Sequence, residues 1–347
     1  MRKILLAGYY GLNNIGDEAI LEKFIEMIRG NSADAEISVL SGKPEYTEKT
    51  FDVSSVDRKD FFKVNKAIAD NDIVVFGGGS LLQDVTSKKS IYYYLYLIFV
   101  SELLKKKVIL LSQGIGPIEG KFNRWMTARL LNRADRITVR DANSFNVLKE
   151  LGVKEDKTGF SADPVIDYGP DIKYEKMDKT LVGISVRKWK DTDVVSPVVE
   201  IIEKLHEKGI EVVLIPFHFD EDIELIEEIE ARTDVELGTV KDKMTSKELY
   251  GLIGRLSLLL GARLHSLIFA VSSFVRISAI SYDPKVEYFM KSLGMKSTCS
   301  IENIDPDKVC GDIFEKLEGN IEYIGKRNEL VNTLEENKKI IKELLEE

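Results

Sequence analysis

Four cations and one histidine of this 347-residue chain stand where apolar runs end. Arg140 follows Arg136–Val139, and Arg187 follows Leu181–Val186. Arg263 and His265 follow Ser257–Leu260 across Gly261-Ala262, and Lys285 follows Val275–Ser281 within Tyr282-Asp283-Pro284-Lys285. Guanidinium groups match phosphate and carboxylate geometry, and a histidine beside them can move a proton near neutral pH. Lys285 is the most telling. With Asp283 as helix N-cap and Pro284 as first helical residue, it falls in a first turn, where a cation opposes the helix dipole by roughly 0.3–1 kcal/mol. That local cost points to an anion at the same place. One such cation alone reads as a solvated charge or an ion pair; the group of them favours a site. In extended geometry Arg263 and His265 project together while Leu264 turns to the core.

Glycine loops supply a second anion-binding element. Gly77-Gly78-Gly79-Ser80 directly follows the run Asp72–Phe76, so backbone N–H groups can approach a ligand without a Cβ in the way. Gln113-Gly114-Ile115-Gly116-Pro117 does the same after Lys107–Leu111. We take Gly78, Gly79, Ser80 and Gln113 as ligand-facing. The loop Gly8–Glu18 lacks dinucleotide spacing, and Asp17-Glu18 stands where a P-loop needs Lys and Ser or Thr. Asp17 has two open readings, a helix cap or a carboxylate reaching the site. Of the other histidines, His206 lies on a solvated helix end, and His218 follows Glu211–Ile215 with lining and structural readings equally open. No His/Asp/Glu/Cys cluster has metal spacing, and the Gly-x-Ser-x-Gly elbow is absent, so no metal or other cofactor is expected.

These residues need a scaffold that brings strand ends together. Apolar runs alternate with helix-period segments throughout, the pattern of βα units on parallel sheets. Lys3–Ala7, Glu36–Leu40, Asp72–Phe76, Lys107–Leu111 and Arg136–Val139 form a first set of strands; Leu181–Val186, Glu211–Ile215, Ser257–Leu260 and Val275–Ser281 form a second. In such sheets ligands bind beyond the carboxyl ends of the strands. The expected fold is α/β, two doubly wound Rossmann-like lobes (1–165 and 180–315) facing a cleft, with a terminal helix over 320–347 packed on the body. Turn signals place a linker at Ser161–Lys179.

A net charge of −9 argues against a general nucleic-acid binder. Cys299 and Cys310 show no disulfide framework, and Met1-Arg2-Lys3 leads straight into a strand without a leader, both fitting a cytoplasmic enzyme. The most apolar stretch, Ile91–Leu104, is too short to span a bilayer. It reads as a buried helix or, through Tyr92, Tyr93, Tyr94 and Tyr96, as a helix at a membrane surface.

Taken in order, the segments Gly8–Glu18, Gly77–Asp84, Gln113–Pro117, Thr138–Asp141, Ala162-Asp163-Pro164, Ile184–Arg187, Arg263-Leu264-His265 and Ser281–Val286 resemble the polysaccharide pyruvyl transferase family, in particular its bacterial cell-wall branch. Ser273-Phe274-Val275 departs from the Gly-x-Pro turn frequent in that family. The resemblance implies a GT-B-like fold and transfer of a pyruvyl group from phosphoenolpyruvate onto a sugar as a cyclic ketal. In that branch the acceptor is an N-acetylmannosamine-containing, lipid-linked saccharide, the product helps anchor S-layer proteins, and the enzyme would work at the inner membrane face. On this reading Arg140, Arg187, Arg263 and Lys285 hold the donor's anionic groups, His265 is the acid/base, and Asp17 orients an acceptor hydroxyl. A GT-B nucleotide-sugar glycosyltransferase and a non-catalytic anion- or sugar-binding protein are the alternatives; an NAD enzyme is disfavoured by the missing glycine fingerprint.

Overall fold

The computed structural model describes residues 2–32, 34–85, 90–169 and 179–346. Two compact units emerge, Met1–Pro164 with Leu330–Glu347, and Val165–Glu329. Most of the second half of the expected linker, residues 170–178, lies outside the described residues.

The first unit runs β1 (Lys3–Ala7), α1 (Ile15–Asn31), β2 (Glu36–Ser41), α2 (Pro44–Phe51), β3 (Ser54–Asp57), α3 (Phe61–Asp70), β4 (Ile73–Gly77), α4 (Ser90–Leu103), β5 (Lys107–Gln113), α5 (Lys121–Leu131), β6 (Arg136–Val139), α6 (Ala142–Glu150) and β7 (Thr158–Phe160). Its seven strands lie in the order β3-β2-β1-β4-β5-β6-β7, all parallel. Continuous apolar runs explain the centre: every residue of Ile73-Val74-Val75-Phe76-Gly77 is buried, as a strand covered by helices on both faces requires. Short polar side chains set the helix starts. Asn14 accepts from Gly16 N, Asp60 from Lys63 N, and Asp141 from Ser144 N, each satisfying an orphan N–H of the first turn.

The second unit continues with β8 (Leu181–Ser185), α7 (Val195–Glu207), β9 (Glu211–Leu214), α8 (Phe219–Glu230), β10 (Gly238–Thr239), α9 (Ser246–Gly254), β11 (Leu258–Gly261), α10 (Leu264–Ser272), β12 (Arg276–Ser281), α11 (Pro284–Ser292), β13 (Cys299–Ser300) and α12 (Pro306–Glu318); α13 (Ile324–Asn332) starts in this unit, which ends at Glu329. Six parallel strands take the order β10-β9-β8-β11-β12-β13. Both units are therefore doubly wound α/β sheets, with the order reversing between β1 and β4 in the first and between β8 and β11 in the second.

The terminal helical segment comes in two pieces, α13 and α14 (Leu334–Glu346), with Thr333 between them. The Thr333 hydroxyl donates to Leu330 O at 2.6 Å and accepts from Ala162 N at 2.9 Å, which ties the break to the first unit. From α14, fully buried Asn337 donates to Ser112 Oγ and accepts from Thr138 Oγ1, both at 2.7 Å. Among the described residues no helix is long and apolar enough to cross a membrane.

Candidate active site

In the second unit, Tyr282 occupies the middle of the cationic group, at the carboxyl end of β12. The Arg187 guanidinium lies 4.6 Å from its ring centroid and Lys285 Nζ 5.3 Å from it, while the Trp189 ring packs edge-on at 5.1 Å. Burial pushes the Tyr282 hydroxyl up, but Lys285, Arg187 and Arg263 outweigh it and hold the phenol below its ordinary value. Asp283 caps α11 by accepting from Lys285 N at 3.0 Å, and Pro284 opens the helix, so Lys285 stands in the first turn as expected.

Arg263-Leu264-His265 departs from its expected geometry. Arg263 is extended (φ −74°, ψ 127°) but is the N-cap of α10, and Leu264 and His265 are its first helical residues. The two-residue alternation of a strand therefore stops at Arg263, and His265 is placed by helical rather than extended geometry. His265 is half-buried and Leu264 buried.

The group is also less cationic than strand ends alone suggest, because α8 brings carboxylates to it. Arg263 Nη2 donates to Glu221 Oε2 at 2.9 Å and to Asp222 Oδ1. Asp222 is fully buried and also accepts from Phe217 N and His218 N, at 3.0 and 2.9 Å. Glu221 lies 4.0 Å from Arg187 Nη2 and 3.7 Å from His218 Nε2, and half its side chain is in solvent. Burial raises the Glu221 carboxyl, yet Arg263, His218 and Arg187 hold it below the usual range. Lys285 has Asp283 at 3.8 Å. What distinguishes the place is hydrogen-bonding capacity left unspent. Ser185 Oγ, Trp189 Nε1, His218 Nδ1 and Arg263 Nε are buried and find no partner among the described residues. A buried polar atom without a partner costs about 1–3 kcal/mol. Several lie near one strand-end region, with the N-termini of α8, α10 and α11 there, which makes it the candidate site of this unit.

In the first unit, Arg140 is buried between two partners, with Nη1 2.8 Å from Asp163 Oδ2 and Nη2 2.9 Å from Ser80 Oγ. Gly114 is forced by this packing: a Cβ there would lie 2.7 Å from Ser80 Oγ and 3.1 Å from Arg140 Nη2. Gly78 and Gly79 adopt left-handed conformations (φ +62° and +75°), and a Cβ on Gly78 would strike Ile20 at 2.6 Å. Gln113 is fully buried, and its amide nitrogen donates to Phe76 O and Gly78 O at 3.0 and 2.8 Å; here it shapes the glycine loop.

Asp17 is not the cap of α1, a role Asn14 takes; it lies in the first turn, buried, 3.3 Å from where a Cβ of Gly79 would be. Beside it Glu18 accepts from Gly11 N at 2.7 Å, and its Oε2 is buried with no partner among the described residues. Burial lifts the Glu18 carboxyl to about 7, against the Gly11 hydrogen bond and with the Asp17 charge adding to the rise. Sequence reasoning missed Tyr282, Glu221, Asp222, Asp163 and Glu18 as site residues. All but Glu221 and Asp222 lie inside the quoted motifs, so the signal was their position; those two are signalled only by an acidic first turn after a strand. Among the described residues no group of three or more His, Cys, Asp or Glu could hold a metal ion.

Two doubly wound units of parallel sheet give the chain a GT-B-like α/β fold. A sequence model for polysaccharide pyruvyl transferases matches residues 14–284, and the chain belongs to that family. Comparison with curated proteins gave no match. Among solved structures, the UDP-GlcNAc 2-epimerase from Methanocaldococcus jannaschii has a TM-score of 0.69 at 12% identity, with all of both chains covered. The enzyme from Neisseria meningitidis bound to UDP-GlcNAc gives 0.65 at 13%, covering 99% of each chain. An S. aureus MnaA–UDP complex gives 0.66 at 11%, covering 96% of this chain and 92% of that one. At these identities the likeness is one of fold.

Proposed function

We propose that this transferase moves a pyruvyl group from phosphoenolpyruvate onto a saccharide, closing a cyclic ketal during cell-wall polysaccharide synthesis in the cytoplasm. The acceptor on this reading is an N-acetylmannosamine-containing, lipid-linked saccharide, and the product serves S-layer anchoring. The observation that carries the proposal is the concentration of Arg187, Arg263, Lys285 and unspent donors around Tyr282. A donor bearing both phosphate and carboxylate supplies the acceptors those groups lack.

Arg187, Arg263 and Lys285 hold the donor's anions, and Arg140 with Ser80, Gly78 and Gly79 forms a further anion-holding element. Protonation of the donor's methylene carbon by His265 gives an oxocarbenium-like centre. One acceptor hydroxyl adds there and returns its proton to His265. The second addition expels inorganic phosphate, which carries away the other hydroxyl proton. Asp17 orients an acceptor hydroxyl, and no cofactor takes part.

The test is phosphate release from phosphoenolpyruvate with a panel of lipid-linked and synthetic glycoside acceptors. Acceptor-dependent release that His265→Gln abolishes in a folded protein supports the reading. Phosphoenolpyruvate that neither binds nor is consumed, with thermal stabilisation by UDP instead, would overturn it in favour of nucleotide-sugar chemistry.

A further inference from the structure

One face of the first unit is built unlike the rest of its surface. The helix α4 buries Ile91, Tyr94, Leu95, Leu97 and Ile98 against the sheet, so of its four tyrosines Tyr94 turns inward and Tyr93 and Tyr96 are half-covered. Its outer stripe is Tyr92, Tyr96, Phe99 and Leu103, spaced by four, three and four, one continuous line along the helix. Tyr92, Phe99 and Leu103 are 48%, 51% and 67% exposed.

Neighbouring helices extend the line. Phe61, at the start of α3, packs edge-on against Tyr96 at 5.6 Å, and Phe62 beside it is 90% exposed. On α5, which also packs against α4, Phe122 and Trp125 are both more than half exposed with ring centroids 5.9 Å apart. Scattered apolar residues on a surface need no explanation, but exposed aromatic groups on three neighbouring helices do.

Charge decides what covers this face. The protein carries −9 in all, yet Lys121–Arg133 holds Lys121, Arg124, Arg129 and Arg133 and no carboxylate; Glu150 and Glu102 pair with Arg124 and Arg133 at 3.6 and 3.5 Å, which leaves Lys121 and Arg129 with no ion pair among the described residues. Lys59, Lys63 and Lys66 flank the phenylalanine pair, all exposed; Lys63 is paired with Asp60 at 3.4 Å, which leaves Lys59 and Lys66 as the lysines with no ion pair there among the described residues. Exposed aromatic rings rimmed by lysine and arginine complement a lipid surface with anionic headgroups, where rings settle at the headgroup level and cations meet the negative potential. A partner protein surface would be matched by the rings alone; the basic rim on an acidic molecule favours lipid. We propose that the outer face of α3, α4 and α5 docks the protein on an anionic bilayer. The helix starts on this face lie at the carboxyl edge of the sheet, the edge that carries Gly77–Ser80, Gln113 and Arg140. The inference stands apart from the identity of donor and acceptor.

The experiment is flotation of the full chain with vesicles of phosphatidylcholine containing phosphatidylglycerol, against phosphatidylcholine alone. We expect binding to the anionic vesicles that weakens with salt. Removing Phe62, Phe99 or Trp125 by serine substitution should cut partition roughly ten-fold for each ring that enters the interface. Lys121→Glu with Arg124→Glu should lower it by roughly five-fold per cation or more. Circular dichroism and thermal unfolding midpoints, which need no assumption about the donor, report that the variants remain folded. Absence of binding to anionic vesicles, or binding undiminished in the triple serine variant, overturns the proposal. So does wild-type self-association that the serine variant dissolves without any vesicle binding, which would make the face a protein interface.

Discussion

On the proposed function Glu221 occupies the place of the donor's anion beside Arg187 and Arg263, and replacing it by glutamine tests that. Its carboxylate accepts from Arg263 at 2.9 Å and lies 4.0 Å from Arg187. In bulk water a unit pair at such separations is worth about 1 kcal/mol, and exposed pairs measure roughly 0.2–1 kcal/mol after solvent screening. Half of the Glu221 side chain is in solvent, so the screened figure applies, and its two arginines together give about 1 kcal/mol. A donor carboxylate or phosphate must displace that interaction before it can use the guanidinium groups. Glu221→Gln keeps the shape and an acceptor oxygen while removing the competing charge. Arg263 keeps its orientation through buried Asp222, so the site remains built. Calorimetric titration with phosphoenolpyruvate at low ionic strength should show Kd falling roughly five-fold, a difference that narrows with added salt. Unchanged or weaker binding in the variant would refute the idea that Glu221 holds the place of a substrate anion.

Three further outcomes follow from the same geometry. A buried Glu18 with its carboxyl near 7 rather than 4.5 binds its proton more tightly when folded, so its stabilising contribution is present at low pH and lost as pH rises from about 4.5 through about 7. Glu18→Gln should remove up to about 3 kcal/mol of that pH dependence, and denaturant unfolding series at pH 5 and pH 8 that shift as much as in wild type would contradict it. Tyr282→Phe removes a hydroxyl whose ionisation three neighbouring cations favour, and should weaken phosphoenolpyruvate binding by roughly five-fold in a folded protein; an unchanged Kd would leave Tyr282 a packing residue only. Gly78→Ala puts a Cβ 2.6 Å from Ile20 at a left-handed φ, and should destabilise the protein by about 1–3 kcal/mol in the same unfolding measurement.

How much of this was legible in the sequence depended on burial. Ile73–Phe76 and Leu181–Ile184 announce themselves because a strand covered on both faces is apolar throughout. The strands β3, β7, β10 and β13 were not visible: each has at most four residues, none buried, so propensity had little to act on. The cations at strand ends were legible for the opposite reason, as charges interrupting an apolar pattern. Their partners were not. Glu221 and Asp222 look like ordinary first-turn acids, and only the tertiary structure brings them to Arg263. That Glu18 is buried deeply enough for its carboxyl to rise to about 7 is visible only in the folded chain. The register of Arg263-Leu264-His265 failed because the strand-to-helix transition takes only Ala262 and Arg263 there, and alternation cannot be carried across it.

The bonds of Asn337 to Ser112 and Thr138 give the molecule a particular order of assembly. Residues 334–346 leave the ribosome after every residue of the second unit. The first unit, begun earliest, therefore lacks α14 until synthesis has passed through Val165–Glu329, and Thr138 and Ser112 wait for Asn337 throughout. During vectorial synthesis the second unit can complete its sheet first, so the unit that starts the chain is the last to be finished.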